Sequence, residues 1–491
     1  MSTERLKSKT IRGILWSFTD RIAQQAVGFV ISVLLARLLL PAEFGLMAML
    51  TVFIAVSQVL INGGFGAALI QKKDASFLDE CSIFYFNIVV SILFTAILFL
   101  AAPLIADFFR MPLLVPMTRL LSLNLIISAF GLIQVSLMIR RIDFRKQMIV
   151  SLVSAVFSGI VGVTMAMRGF GVWSLVWQAL LGNLLRVTLL WLVHKWRPAW
   201  RFSLYSLRQM FNFGAKMLFI GLIDQLFKNI YLVVIGKVFS PADLGFYVRA
   251  QSIQQLPGKD IAISSDLVSF PVFSSIQDDK ARMKRGLRQG MMMQALLNIP
   301  IMIGLACVAE SFVRVLLTDK WLPCVPYLQV LCLAGLFYPL SVMNISALKA
   351  QGRSDLFFRL EVIKKTLALI VIAVTFRWGI MALVIGQVII NWLCYYLNSY
   401  YTARFLDYSI KEQIVDVLPT LGIAGLMGAG VFFMGLFSLS SPTLTLLLQV
   451  AAGTTLFLTL CLIFRLAPFM NLLRMAENQW AKFKKVDPAL S

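Results

Sequence analysis

Residues 39–46 read LLPAEFGL, and residues 239–246 read FSPADLGF. Pro41 answers Pro241, Ala42 answers Ala242, Glu43 answers Asp243 and Gly45 answers Gly245. Each proline cannot continue a preceding helix and suits the first turn of the next one. Each acid then lies near the new helix N-terminus, where the dipole favours a carboxylate. Each glycine lets two helices approach closely. The two stretches read as one tight helical hairpin written twice, with Pro41, Gly45, Pro241 and Gly245 as the structural residues of a repeat.

The composition indicates the solvent. Hydrophobic residues make up 59% of the 491 and charged residues 14%, against about 25% charged in soluble domains. Apolar runs of about 20 residues recur along the chain, which is the bilayer thickness in helical rise. The alternating segments of about 10 residues that a membrane barrel requires do not appear. The chain therefore reads as an all-α membrane protein with about 14 spans. They are expected near 11–38, 43–68, 79–106, 115–138, 147–167, 172–193, 209–236, 243–275, 287–309, 325–348, 358–376, 379–402, 413–437 and 443–464. The first is expected to stay uncleaved, since Asp20 and Arg21 interrupt it and no small-residue cleavage site follows. The six cysteines show no metal spacing and read as small packing residues. The single histidine, His194, reads as a solvated or interfacial side chain beside Lys195 and Arg197.

Charge sorts the loops into two sides. One side holds Arg5, Lys7, Lys9 and Arg12, then Lys72 and Lys73, then Arg140, Arg141, Arg145 and Lys146. Clusters follow at 195–208, 280–288, 349–359, 404–411 and 465–485. The other side keeps only Arg37, Arg110, Arg168, Lys237, Arg314, Lys320 and Arg377. By the positive-inside rule both termini are expected in the cytoplasm. The same asymmetry accounts for most of the net charge of +22 without any nucleic-acid partner. Trp196 and Trp200, beside Arg197 and Arg201, read as interfacial anchors.

Both hairpin copies then fall on the outer side, between spans one and two and between spans seven and eight. Six spans separate them, so the copies point the same way through the membrane, as a parallel repeat does. The expected organisation is a six-helix lobe over 1–200, a second over 201–405, and two further helices with a basic cytoplasmic tail over 406–491.

Two six-helix lobes plus two helices resemble the multidrug/oligosaccharidyl-lipid/polysaccharide exporter superfamily. The stretches ARLLLPAEFGLMAM (36–49), GGFGAALIQKKD (63–74), FSPADLGFYVRAQSIQQLP (239–257) and SFPVFSSIQDD (269–279) resemble the Wzx-type polysaccharide flippases, especially the branch that includes colanic acid exporters. The resemblance covers about residues 5–410; the last two helices match only in number and hydrophobicity. Its motifs are read as structural, so they leave the transported sugar open.

Charge inside a bilayer is costly and marks a cavity or a partner. Span one carries Ser17, Arg21, Gln24, Gln25, Gly28 and Ser32 on one stripe. Arg21 lies roughly 15 Å along the helix from Ile11, too deep for simple surface solvation. Span six carries Asn183 and Arg186. Span seven carries Lys216, Asp224 and Lys228, the last two spaced to pair; pairing and a cavity role both stay open for them. Span eight carries Arg249, Lys259, Asp260 and Asp266, with Pro257-Gly258 interrupting its middle. Arg21, Gln24, Arg186, Lys228, Arg249 and Lys259 are read as a cationic substrate-binding set suited to a diphosphate. Arg119, Lys364 and Lys365 are read as snorkelling near span ends.

The resemblance implies a flippase that moves an undecaprenyl-diphosphate-linked oligosaccharide unit across the bacterial inner membrane by alternating access, for exopolysaccharide or O-antigen synthesis. Its implied partners are that lipid-linked oligosaccharide, membrane lipid, a polysaccharide polymerase and a chain-length regulator. No cofactor, metal or catalytic constellation is expected, and no G-x-x-x-x-G-K-[ST] phosphate loop is present to hydrolyse ATP. Energy would come from an ion gradient, with Asp224 or Asp260 titrating, or from consumption of product outside. A multidrug/cation antiporter of the same superfamily is the first alternative; it calls for an acidic cavity, and basic intramembrane residues outnumber acidic ones. A polysaccharide polymerase or ligase is the second; it calls for a large outer loop, and the longest here, about 310–324, is short.

Overall fold

The computed structural model describes residues 3–72, 74–141, 144–436 and 441–486. Every regular element among the described residues is helical. In chain order they are α1 (Thr3–Leu38), α2 (Pro41–Asn62), α3 (Phe65–Gln71), α4 (Phe77–Phe109), α5 (Leu114–Arg141), α6 (Phe144–Met167), α7 (Trp173–Val193), α8 (Leu204–Val238) and α9 (Pro241–Ser275). Then come α10 (Lys280–Leu316), a 3-10 stretch at Asp319–Cys324, α11 (Val325–Gly335), α12 (Tyr338–Ala350) and α13 (Ser354–Thr375). After a short 3-10 turn follow α14 (Ile380–Leu406), α15 (Ile410–Leu436), α16 (Pro442–Ile463) and α17 (Ala467–Val486). Twelve helical segments among the described residues are long and apolar enough to cross a bilayer. Of the fourteen expected spans, α9 and α13 are not in that set; α9 carries Arg249, Lys259, Asp260 and Asp266, and α13 carries Arg359, Glu361, Lys364 and Lys365.

Three spans differ from their sequence outlines. The second ends at Asn62, where Gly63 and Gly64 take left-handed φ values of 52° and 69°, and restarts as α3. Those two angles are open to glycine at no steric cost. The tenth is broken between α11 and α12, with Pro339 in the first turn of α12. The eighth, by contrast, runs on through Pro257 and Pro271 as one helix. A proline removes one intrahelical bond, and the turns on either side can carry the helix past it.

The repeated hairpins start α2 and α9, and they pack on each other. In the first, the Leu40 backbone N–H donates to Glu43 Oε2 at 2.6 Å. In the second, Ser240 Oγ donates to Asp243 Oδ2 at 2.7 Å and accepts from the Asp243 N–H at 3.2 Å, a reciprocal N-cap. A Cβ on Gly45 would overlap the Pro241 carbonyl oxygen and lie 2.7 Å from its carbon; one on Gly245 would overlap the Pro41 carbonyl and lie 2.6 Å from its carbon. Each copy's glycine therefore receives the other copy's proline backbone.

The chain divides into two compact units, Met1–Val248 and Arg249–Ser491, with the boundary inside α9. In the first, α6 packs between α1 and α7, α5 packs on α4 and α7, and α8 lies against α2, α3 and α4. In the second, α10 packs against α11, α12, α15 and α16, while α14 packs against α11, α12 and α13.

Three side chains read from sequence as surface groups are packed inside. Trp196 is buried among Phe84, Ile133 and Leu207, and its Nε1 donates to Glu80 Oε2 at 2.7 Å. His194 is buried, its Nδ1 accepting from the Trp196 backbone N–H at 3.2 Å. Lys364 is buried and pairs with Glu361 at 2.7 Å rather than snorkelling. A carboxylate satisfies the polar ends of Trp196 and Lys364, so their apolar bodies can be buried. Trp200, by contrast, is 95% exposed and stacks on Tyr85.

Candidate functional site

Two cavities open inside the first unit. One, of about 470 Å³, lies among α1, α2, α6 and α7; the other, of about 550 Å³, lies among α2, α3, α5 and α7. Asn183 and Arg186 of α7 line both. Asn183 is held from α5: its Nδ2 donates to Asn124 Oδ1 at 2.6 Å, to Ser128 Oγ at 2.8 Å and to the Asn124 carbonyl at 3.3 Å. That fixes α7 one turn before Arg186. The Arg186 guanidinium is partly buried and makes no hydrogen bond or ion pair to a described residue. Asp20 is the acid whose field reaches it, but the Asp20 carboxylate already accepts from Gln24 Nε2 at 2.6 Å. The result is a fixed cation with five N–H donors at the shared wall of the two cavities.

The six residues of the expected cationic set are distributed unevenly. Gln24 and Arg186 line the smaller cavity together. Arg21 is exposed on α1, lines neither cavity and pairs with no described residue. Lys228 forms an ion pair with Asp224 at 2.6 Å, and both side chains are about half exposed or more, at 64% and 49%. Arg249 is buried in the second unit at 6% exposure, its guanidinium 5.1 Å from the centre of the Trp321 ring. The side chains of Ser17, Lys259 and Asp260 lie outside the described residues. No group of three or more His, Cys, Asp or Glu among the described residues is placed to hold a metal ion.

Several lining residues are ones that intramembrane charge does not flag. Ser151, Ser154 and Ser158 of α6 and Gln178 of α7 share the smaller cavity with Gln24 and Arg186. Gln58 and Asn62 of α2 and Ser136 of α5 share the larger one. The available signal was the spacing of the α6 serines, which places all three on one helix face.

In the second unit one cluster of polar side chains closes on itself. The Gln413 Oε1 of α15 accepts from Ser399 Oγ at 2.9 Å, Tyr395 OH at 3.1 Å and Asn344 Nδ2 at 3.2 Å, tying α12, α14 and α15 together. Gln413 is fully buried. Arg288 forks onto Asp416 at 2.5 and 2.7 Å, and the Tyr408 hydroxyl donates to the same carboxylate at 2.8 Å. Burial, and then that carboxylate, push the Tyr408 phenol up, so it stays a donor.

A family described as polysaccharide biosynthesis proteins matches over residues 34–326. The chain is 27% identical over 412 residues to the teichuronic acid biosynthesis protein TuaB of Bacillus subtilis (strain 168), covering 82% of this chain and 85% of that one. It is 27% identical over 438 residues to the lipopolysaccharide biosynthesis protein WzxC of Escherichia coli (strain K12), covering 86% and 88%. Among solved structures it superimposes on the lipid II flippase MurJ in an inward closed conformation with a TM-score of 0.77 at 15% identity, covering 94% of this chain and 100% of that one. An inward-facing multidrug resistance MATE family transporter of the MOP superfamily gives 0.63 at 12% identity, covering 78% and 94%. At such identities both structures speak for the fold.

Proposed function

The chain belongs to the family of polysaccharide biosynthesis proteins, and on that premise we propose that it is a Wzx-type flippase of the MOP superfamily whose cargo is an undecaprenyl-diphosphate-linked oligosaccharide. The anionic head group enters the first unit and meets Arg186, whose planar fork matches two phosphate oxygens at once. The lipid tail stays in the bilayer while the head group crosses by alternating access. The membrane is the bacterial inner membrane, both termini are cytoplasmic, and no covalent bond is made or broken. A polymerase and a chain-length regulator would take the product outside, and that consumption, or an ion gradient read by Asp224 or Asp260, would drive the step.

One observation carries the reading: the Arg186 guanidinium lies within a membrane-spanning helix, open to two cavities and paired with no described side chain. A charge kept there at such cost is kept for a ligand or for water. A cation antiporter would need carboxylates instead, and the described residues that line the two cavities include none. The test is binding of radiolabelled undecaprenyl diphosphate to the purified chain. Arg186→Ala is expected to lose it, and Arg186→Lys to recover part. Unchanged binding in Arg186→Ala would sink the proposal.

A further inference from the structure

The cavity among α1, α2, α6 and α7 holds more polar groups than an anion needs. Ser151, Ser154 and Ser158 line it from one face of α6. The hydroxyls of Ser154 and Ser158 donate back to the carbonyls of Val150 and Ala155, at 2.7 and 3.1 Å. Their protons are thus engaged, and what they offer the cavity is lone pairs. From α7, Gln178 lines the same space, and its amide makes no hydrogen bond to a described residue. Two glycines make room for these groups. A Cβ on Gly162 of α6 would lie 3.1 Å from the Gln178 Cβ, and one on Gly182 of α7 would lie 2.9 Å from Ser158 Oγ. Arg186 is the one charged residue among the described residues of this lining.

Acceptors on one wall and an unengaged amide on the other suit a neutral polyhydroxyl, since every sugar hydroxyl donates one hydrogen bond and accepts others. Lipid chains would leave the Gln178 amide and the Arg186 guanidinium unpaired, which is costly in a low-dielectric space. The volume of about 470 Å³ falls within the range of about 300–1,000 Å³ usual for small-ligand sites. We infer that this cavity is a sugar subsite, in which Ser154, Ser158 and Gln178 bind hydroxyls of the glycan whose diphosphate is held at Arg186. The inference rests on the diphosphate reading of Arg186 and adds the determinant of glycan selectivity.

Two probes separate the parts: radiolabelled undecaprenyl diphosphate and its monohexosyl derivative, each bound to the purified full-length chain in detergent. Gln178→Met keeps the side-chain length and removes the amide. The monohexosyl lipid is expected to bind about tenfold more weakly, the value of one or two hydrogen bonds. Undecaprenyl diphosphate itself should change by no more than about twofold. Equal weakening of both lipids, or of neither, at an unchanged melting midpoint overturns the subsite. Should Gln178→Met melt early, the Ser154→Ala/Ser158→Ala double variant must show the same glycan-selective loss, and an unselective result there overturns it as well. Arg186→Ala distinguishes the two readings. A glycan-selective loss in Gln178→Met alongside an inert Arg186→Ala keeps the subsite and removes the anion anchor.

Discussion

Two polar clusters, one in each unit, use buried polarity in opposite ways. In the second, Gln413 places one carbonyl oxygen under three donors from two other helices, and Asp416 is shared between Arg288 and Tyr408. Those groups have little capacity left for anything that arrives. In the first, Arg186 and Gln178 line a cavity with no partner among the described residues, while Asn183 beside them spends its amide on α5. Saturated polar groups hold helices together; unsaturated ones beside a cavity wait for a ligand. On the proposed function, the first cluster would serve recognition and the second cohesion, and substitutions can test that division.

The largest effect should come from a site in the first unit that is as closed as anything in the second. Gly45→Ala forces a methyl group into the Pro241 carbonyl, a backbone atom that cannot rotate away. A loss of about 3 kcal/mol is expected, the upper end for overpacking, seen as a fall in membrane abundance. Gly245→Ala should match it, because the Pro41 carbonyl is equally close. Normal abundance in either variant would mean the hairpins separate freely. Next comes Arg186→Ala, whose signature should be the reverse. Affinity for undecaprenyl diphosphate should fall by about 2–3 kcal/mol and export with it, while abundance stays near normal. A fall in abundance instead would move Arg186 into the cohesive class and erase the contrast between the units.

Gln413→Leu sharpens the contrast from the other side. It leaves Ser399, Tyr395 and Asn344 aimed at an apolar side chain in a fully buried site. The expected cost is about 2 kcal/mol, read as a lower melting midpoint in detergent. Binding of undecaprenyl diphosphate by the surviving folded protein should be unchanged. Weakened binding at an unchanged midpoint would place Gln413 among the recognition groups.

Much of this architecture is legible in the chain itself, because membrane helices must satisfy their own backbone and so announce themselves by length and apolarity. The hairpin repeat is legible too, since proline and glycine act through the backbone. The candidate site is legible only in part. Arg186 and Gln24 stand out as polar residues inside spans, and they line one cavity. Ser151, Ser154 and Ser158 do not stand out, since serine can bond its own helix and serves equally well as a small packing residue. Burial is the least legible quantity. Trp196 and Lys364 carry the composition of surface anchors, and only their partners, Glu80 and Glu361, explain why they are inside. Arg249 has the same sequence signature as Arg186, yet it is packed over Trp321.

The smallest effect separates an intramembrane charge that matters from one that merely pairs. Asp224 and Lys228 lie four residues apart on α8 with their charged atoms 2.6 Å apart, and 49% and 64% of their side chains remain exposed. Neither lines either cavity of the first unit. A pair this open gains little from its Coulomb attraction, in the range of about 0.2–1 kcal/mol. The double variant Asp224→Asn/Lys228→Gln removes both charges and strands neither. Its abundance and its affinity for undecaprenyl diphosphate should both stay close to those of the unsubstituted chain. Single Asp224→Asn is the more revealing measurement, because it removes the carboxylate and keeps the Lys228 charge. If Asp224 reads an ion gradient, export by that variant should lose its dependence on the gradient while substrate binding stays intact. Export that keeps the same gradient dependence would leave Asp224 as a helix-surface partner of Lys228 and nothing more.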